Sequence, residues 1–294
     1  MFSSGWLYLA AMILAYGVAN LLQSIAAART SHEQRFRPSL LLRLAGHRTY
    51  LLGVGFQIIG FVLAFLARRD LPLFLVQASV AAGLGVTALL GVLLLKWKLP
   101  AAEVLLLGGL GLGVAGLIIA AEPAPSRQLT MVETGALAVA IVVIAAAGVF
   151  AVRLRGAPGS VVLGSLAGLA FGAAAVASRP LAGEPLSHFP GDPLLYLVLA
   201  HSVVGQLLLG LAMQRGSTTA AVAAMDASAA VPAAVIGLVL LGDRIWPGLE
   251  WMAGLGFLTT LVAVLGLSWY AEPQHHHEVN QHPRSRIGER LSVQ

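Results

Sequence analysis

Residues 72–95 read PLFLVQASVAAGLGVTALLGVLLL, a run of 24 residues that contains no charged side chain. An α-helix rises ~1.5 Å per residue and the hydrocarbon core of a bilayer is ~30 Å thick, so this run predicts a membrane-spanning helix. Eight further apolar runs of similar length predict eight more. The predicted bounds are 6–28, 50–67, 72–95, 100–121, 131–152, 159–178, 193–214, 219–241 and 247–270.

The composition indicates an all-α, polytopic membrane bundle. Only 11% of the 294 residues are charged and 58% are hydrophobic, whereas about a quarter of an ordinary soluble domain is charged. The connections between the runs leave no room for a soluble catalytic domain, and no phosphate-binding loop motif is present, so we expect neither an enzyme nor a cofactor. The chain has no cysteine, which excludes disulfides and thiolate metal sites.

A repeat follows directly on the first quoted run. The sequence LKWKLPAAE at 95–103 recurs 147 positions later as GDRIWPGLE at 242–250, with proline and glutamate at equivalent places. Gly109 falls on Gly256 under the same offset. Because an odd number of helices lies between the two copies, they face opposite sides of the membrane. We therefore expect an inverted repeat, with a pseudo-two-fold axis in the membrane plane that relates 72–121 to 219–270.

This repeat divides the chain into two halves and a tail. The first half, 1–121, has four predicted helices and a basic connection at 29–49, and the second half, 122–270, has five. The polar residues 271–294 are expected to form a disordered tail.

The basic residues predict the orientation. With the N-terminus outside, 13 of the 18 Lys and Arg residues lie on the inner side and 5 on the outer side. Cytoplasmic connections carry such an excess of positive charge. We expect a multi-pass protein of the cytoplasmic membrane with the N-terminus outside and the C-terminus inside. Because the basic residues follow the topology, we expect no nucleic-acid partner.

Ionisable side chains inside predicted spans are the first candidates for a site, because they are costly in lipid. Asp226 lies seven residues inside the eighth helix and His201 eight residues inside the seventh, at similar depths. We expect Asp226 to bind substrate or to load and release a proton, with His201 as its partner. The alternative for Asp226 is a structural hydrogen bond. Pro232 interrupts the eighth helix and is the predicted hinge.

Uncharged polar residues in the spans form a second set of candidates. Tyr16, Asn20 and Gln23 are spaced to share one face of the first helix, and Ser79 aligns with Asp226 under the 147-residue offset. These side chains either line a wet cavity or tie helices together. The substrate or coupling candidates are thus Asp226, His201, Tyr16, Asn20, Gln23, Gln77, Ser79 and Gln206, with no metal site expected.

Several motifs resemble those of a known transporter family. GLGVTALLG at 83–91, LLGDR at 240–244 and Gly254-x-Gly256 are similar to the paired helices of drug/metabolite transporters of the EamA type. The four-plus-five helix count and the basic first connection resemble the NIPA-like magnesium-transporter branch. The resemblance implies a ten-helix inverted-repeat fold with one helix lost and a central cavity between the halves.

The expected function is secondary transport of a small metabolite or drug-like solute by alternating access, with proton coupling as an option. The alternatives are a divalent-cation transporter of the magnesium type and a non-transporting scaffold subunit of a cell-envelope complex. The expected partners are a small solute or ion and the lipid bilayer, and a homodimer is left open. Polar residues that converge on a wet cavity would distinguish a transporter from a scaffold.

Overall fold

The computed structural model describes residues 4–30, 48–215 and 218–280, and within them it confirms the all-α bundle with nine long apolar helices. All nine are long and apolar enough to cross a membrane, so the protein is a multi-pass membrane protein. The helices are α1 (Ser4–Thr30), α2 (Arg48–Ala67), α3 (Leu73–Leu95), α4 (Ala101–Ala120), α5 (Met131–Ala151), α6 (Gly156–Leu181), α7 (Pro193–Arg215), α8 (Thr218–Val239) and α9 (Glu250–Asn280). A two-stranded ribbon joins β1 (Ala121–Glu122) to β2 (Arg244–Ile245), and a 3₁₀ helix covers Leu186–Gly191.

The predicted bounds differ from the observed ones mainly at two helix ends. Helix α6 continues to Leu181 rather than 178, so it includes Arg179 and Pro180. Helix α9 continues to Asn280, and the prediction that disorder begins at 271 is therefore wrong for 271–280. The rest of the predicted tail, 281–294, and residues 31–47 of the basic connection lie outside the described residues.

The helices pack in two equivalent sets of four. In the first set α1 packs against α2 and α3, and α3 packs against α4; in the second set α6 packs against α7 and α8, and α8 packs against α9. Helix α5 packs against α6 and α7 and has no counterpart in the first half. The predicted four-plus-five division therefore consists of two four-helix repeats and one additional helix between them.

The two sets meet through α3 with α8 and through α4 with α9. A Cβ placed on Gly113 would lie 2.8 Å from the Gly256 carbonyl oxygen, and one on Gly256 would lie 2.7 Å from the Gly113 carbonyl oxygen. Near the opposite ends of the two helices, Gly266 faces the Leu106 side chain. The helices are thus antiparallel. A two-fold axis that relates antiparallel helices is perpendicular to them, which agrees with the predicted inverted repeat.

Glycines also set the packing of α6 against α8. Gly164, Gly168 and Gly172 face the backbone of Ala221, Met225 and Ala229, and a Cβ on any of the three would come within 3.0 Å of that backbone. In a membrane no hydrophobic effect draws helices together, so close backbone approach at small residues provides the van der Waals contact instead. Helix α6 is the most buried of the nine spans.

The bundle has two ends, which we call the N-face and the C-face. The N-face holds Ser4 and the connections 68–72, 121–130, 182–192 and 240–249; the C-face holds the connections 96–100 and 152–155. Backbone hydrogen bonds join the N-face connections to one another, from Ala124 N to the Asp70 oxygen (3.1 Å) and from Arg127 N to the Leu241 oxygen (2.9 Å). The two described C-face connections hydrogen-bond only to their own flanking segments.

A buried polar cluster at the N-face as the candidate functional site

The centre of the N-face is Arg179, whose side chain has no exposed surface. Its Nε and Nη2 donate to Asp243 Oδ1 over 3.1 and 3.0 Å, and Nη2 also donates to the Ala124 carbonyl oxygen over 2.9 Å. Nη1 donates to the Arg68 carbonyl oxygen. The planar guanidinium thus bonds three separate segments, a geometry that lysine, with its single ammonium group, cannot reproduce.

Asp243 is held in place by the turn that ends α8. Gly242 adopts a φ of +76°, which a residue with a Cβ rarely adopts, and the Asp243 amide donates to the Gly237 carbonyl oxygen over 3.0 Å. The other carboxylate oxygen, Oδ2, accepts a 2.5 Å hydrogen bond from the Leu73 amide at the start of α3. A carboxylate at this position interacts favourably with the helix dipole. Asp243 therefore joins the second half to the first.

Arg68 is the second buried guanidinium of the cluster, with 5% of its surface exposed. Nη1 donates to Ser178 Oγ over 3.2 Å and Nη2 to Gln77 Oε1 over 2.8 Å, while Nε has no partner. Burial lowers the pKa of Arg68 to about 10, so the group is charged at neutral pH. The guanidinium is bonded only to neutral groups.

We call Arg68, Gln77, Ser178, Arg179 and Asp243 the N-face cluster. Arg68 and Gln77 belong to the first half, and the other three residues belong to the second. Two hydrogen bonds within the cluster join the halves, from Arg68 Nη1 to Ser178 Oγ and from Arg179 Nη1 to the Arg68 carbonyl oxygen, and both are buried. The cluster thus joins the two halves at the N-face through buried hydrogen bonds.

Apart from Gln77, the cluster escaped the sequence analysis. Arg68 and Arg179 were counted as cations of outer connections, and Asp243 was noted only as part of a motif. A signal was available at Arg179, because it precedes Pro180 at the end of a helix rich in Gly and Ala, whose small residues allow deep burial.

Asp226 lies on α8 and is partly buried. Within the described residues it makes no hydrogen bond or ion pair, and the neighbouring cross-helix bond is made by Ser228, whose Oγ donates to the Ser165 carbonyl oxygen over 3.0 Å. The structural alternative for Asp226, a hydrogen bond to a neighbouring backbone group freed by Pro232, is not formed in this conformation. Its role in substrate binding or coupling stays a prediction.

His201 is completely buried on α7. Its Nδ1 lies 2.9 Å from the Leu197 carbonyl oxygen one turn earlier, and Nε2 has no partner. No hydrogen bond joins His201 to Asp226 among the described residues, so the expected pairing is absent from this conformation. Pro232 lies inside α8, which is helical on both sides of it, and its role as a hinge stays a prediction.

The three candidates of the first helix have different surroundings. Tyr16 packs against α2 and α3, because a Cβ on Gly60 or on Gly83 would lie 3.0 Å from its side chain. Gln23 Nε2 donates to Gln57 Oε1 on α2 over 2.8 Å, which is the tie between helices considered as the alternative. Asn20 is partly buried.

The remaining candidates divide between the interior and the exterior. Gln77 belongs to the N-face cluster, and Ser79 is completely buried with an unpartnered hydroxyl. Gln206 is exposed on the same stripe of α7 as Leu199 and Val203, so the prediction that it lines the interior is wrong.

Two cavities of the described residues lie on the outside of the bundle. One of about 410 Å³ is lined by Arg48 and the apolar face of α2, and one of about 270 Å³ lies in the groove between α4 and α9. Neither contains a residue of the N-face cluster. Among the described residues no group of three or more His, Asp or Glu side chains could hold a metal ion.

The arrangement thus presents a buried, unpartnered donor, Arg68 Nε, at the N-face. Comparisons with known protein families, with curated proteins and with solved structures found no match to this chain.

Proposed function

We propose that the protein is a secondary transporter that moves a small solute across the cytoplasmic membrane by alternating access. The observation that carries the proposal is the N-face cluster, which joins two oppositely oriented four-helix sets at one end of the bundle. Inverted repeats let two halves rock about a central site so that the ends open in turn. In this reading the conformation described above is the one closed at the N-face.

The chemistry of the closure supports this reading. Buried hydrogen bonds between the halves have a definite geometry and would therefore define the closed state. When the N-face opens, Arg68 would exchange Ser178 for water, and Arg179 would exchange the Arg68 carbonyl oxygen for water. By the distribution of basic residues, the N-face is the outer side. The resemblance to drug/metabolite transporters supports the same class of function.

A cross-link between the halves tests the proposal. Phe65 at the end of α2 and Phe189 in the 3₁₀ helix lie across the two halves at the N-face, with ring centroids 5.9 Å apart. We expect a short bismaleimide between cysteines at these positions to stop uptake into proteoliposomes. The control, Glu184→Cys with His188→Cys, cross-links two positions of a single connection, whose side chains are 3.5 Å apart, and is expected to leave uptake unchanged.

The uptake assay uses a panel of radiolabelled amino acids, organic acids and organic cations, because the solute is not assigned by the proposal itself. Uptake of at least one member above that of protein-free liposomes, stopped only by the cross-link between the halves, is the expected result. Absence of uptake for the whole panel would favour the scaffold. The magnesium alternative would require ²⁸Mg²⁺ uptake, and the described residues offer Mg²⁺ no group of three acidic or histidine side chains.

A further inference from the structure

Arg68 is a buried cation without a carboxylate partner. Its two bonded nitrogens donate to the hydroxyl of Ser178 and to the amide oxygen of Gln77, both neutral. The nearby carboxylate of Asp243 accepts from Arg179 and from the Leu73 amide. Because burying a charge without a counter-charge is costly, an anion that reaches Arg68 would be bound favourably.

The other nearby carboxylate does not neutralise Arg68. Asp70 Oδ2 accepts hydrogen bonds from the Ser4 hydroxyl (3.3 Å) and the Gly5 amide (3.2 Å) at the start of α1. Arg179, whose charge also lowers the pKa of Arg68, is itself a cation. The N-face cluster thus contains two buried guanidinium groups and one buried carboxylate, which is bonded to Arg179.

Arg68 and two other residues of the first half have hydrogen-bond donors without an acceptor in the described part of the chain. Arg68 Nε is buried and has no partner. Within the described residues the Tyr16 hydroxyl and the Gln77 amide nitrogen also make no hydrogen bond, although Gln77 accepts one from Arg68 through its oxygen. A guanidinium, an amide N–H and a phenolic O–H suit an oxyanion, since all three donate.

We propose that Arg68, with Tyr16 and Gln77, binds the carboxylate of a small monocarboxylate solute. This inference rests on the proposed function, whose solute it assigns to a chemical class. One unneutralised guanidinium matches one negative charge, which favours a monocarboxylate over a doubly charged phosphate. In the conformation that is closed at the N-face, the neutral oxygens of Ser178 and Gln77 accept hydrogen bonds from two of the Arg68 nitrogens. When the N-face opens, the solute carboxylate replaces them.

Direct binding to the purified protein in detergent tests the site without any need for transport. Acetate, lactate and benzoate are each compared with the corresponding neutral amide, and inorganic phosphate serves as the other oxyanion. We expect at least one carboxylate to raise the melting temperature and to bind in calorimetry, while its amide does neither. Equal binding of a carboxylate and its amide, or binding of phosphate alone, would overturn the monocarboxylate assignment.

The chain offers a matched pair of substitutions for the same assay. Arg68→Gln and Arg69→Gln remove the same charge at neighbouring positions, but Arg69 is exposed. We expect Arg68→Gln to weaken carboxylate binding by about tenfold to a hundredfold, and Arg69→Gln to leave it unchanged. Arg68→Lys keeps the charge and is expected to bind with an intermediate affinity.

The stability of Arg68→Gln separates binding from structure. A solute-binding cation without a counter-charge is expected to destabilise the empty protein, so Arg68→Gln should melt at the same temperature as the parent or higher. A marked loss of stability, or failure to fold, would show that Arg68 is structural and would overturn the proposal. If a carboxylate binds but no solute is transported, the proposed transport is refuted and the site is not. If Arg68→Gln transports solute whether or not the solute carries a carboxylate, the site is refuted and transport is not.

Discussion

Arg179 and Asp243 form an ion pair whose side chains are both completely buried, with Arg179 Nη2 3.0 Å from Asp243 Oδ1. The pair joins the end of α6 to the turn after α8. Through the Leu73 amide and the Arg68 carbonyl oxygen it also reaches the first half. Removal of either member leaves the other buried and charged, so the two substitutions are strongly coupled.

We expect Arg179→Met or Asp243→Leu alone to destabilise the protein by about 3–5 kcal/mol, because each strands an uncompensated charge. The double variant is expected to be clearly more stable than the sum of the two losses implies. Thermal melting in detergent, followed by circular dichroism, measures all four proteins of the cycle. Additive losses would show that the pair contributes no coupling.

The packing of α6 on α8 makes a second prediction. A Cβ at Gly168 would lie 2.9 Å from the Met225 carbonyl carbon, whereas a Cβ at Gly210 on α7 would have no atom within 4 Å. Gly168→Ala is expected to destabilise the bundle by about 1–3 kcal/mol through overpacking. Gly210→Ala, the control, is expected to be neutral or stabilising by up to about 1 kcal/mol. The same melting assay compares them, and equal stabilities would contradict the close approach.

The sequence predicted the helices well because span length and apolar composition are local properties. Span length and composition predicted the wrong surroundings for Arg179, because a positively charged residue at a helix end is expected to be solvated. Helix α6 continues three residues beyond its predicted end, and Arg179 is buried within that extension. Its partner Asp243 is 64 residues away in the sequence, so no local pattern predicts their contact. The burial of Arg68 and Arg179 depends on how four connections meet at the N-face, which only the tertiary structure provides.

The orientation is a third prediction, and the absence of cysteine from the chain makes it easy to test. Ser187 and Lys98 are exposed at the N-face and the C-face respectively. We expect Ser187→Cys to react with a membrane-impermeant maleimide added to intact cells and Lys98→Cys to react only after the membrane is permeabilised. The reverse pattern would invert the assignment of inside and outside.

Carboxylate binding at Arg68 has an expected dependence on pH. The site requires the protonated guanidinium, and burial lowers the pKa of Arg68 to about 10. Affinity for benzoate is therefore expected to be constant between about pH 6 and 8, where benzoate is ionised and Arg68 is charged, and to fall as the pH rises through about 10. Calorimetry over this range checks it. A fall between pH 6 and 8 would assign binding to a different titrating group.

Asp226 is the remaining candidate for coupling. It lies inside the span of α8, where an ionised carboxylate is costly, and it makes no hydrogen bond or ion pair with any described residue. We expect Asp226→Asn to fold and to exchange solute down its gradient, but to lose accumulation driven by a pH gradient, because the amide cannot carry a proton. Proteoliposomes that contain trapped pyranine report proton movement and labelled solute reports accumulation.

Asp192→Asn is the matched control for this experiment. It makes the same change of charge outside the spans, where the Asp192 Oδ1 accepts a 2.8 Å hydrogen bond from the Leu194 amide at the start of α7. Asparagine also accepts such a bond, so this variant is expected to accumulate solute like the parent. If Asp226→Asn accumulates solute equally well, coupling lies elsewhere; if it fails to fold, Asp226 is structural. Because the amide keeps the size and the hydrogen-bonding capacity of the side chain, the change isolates the proton.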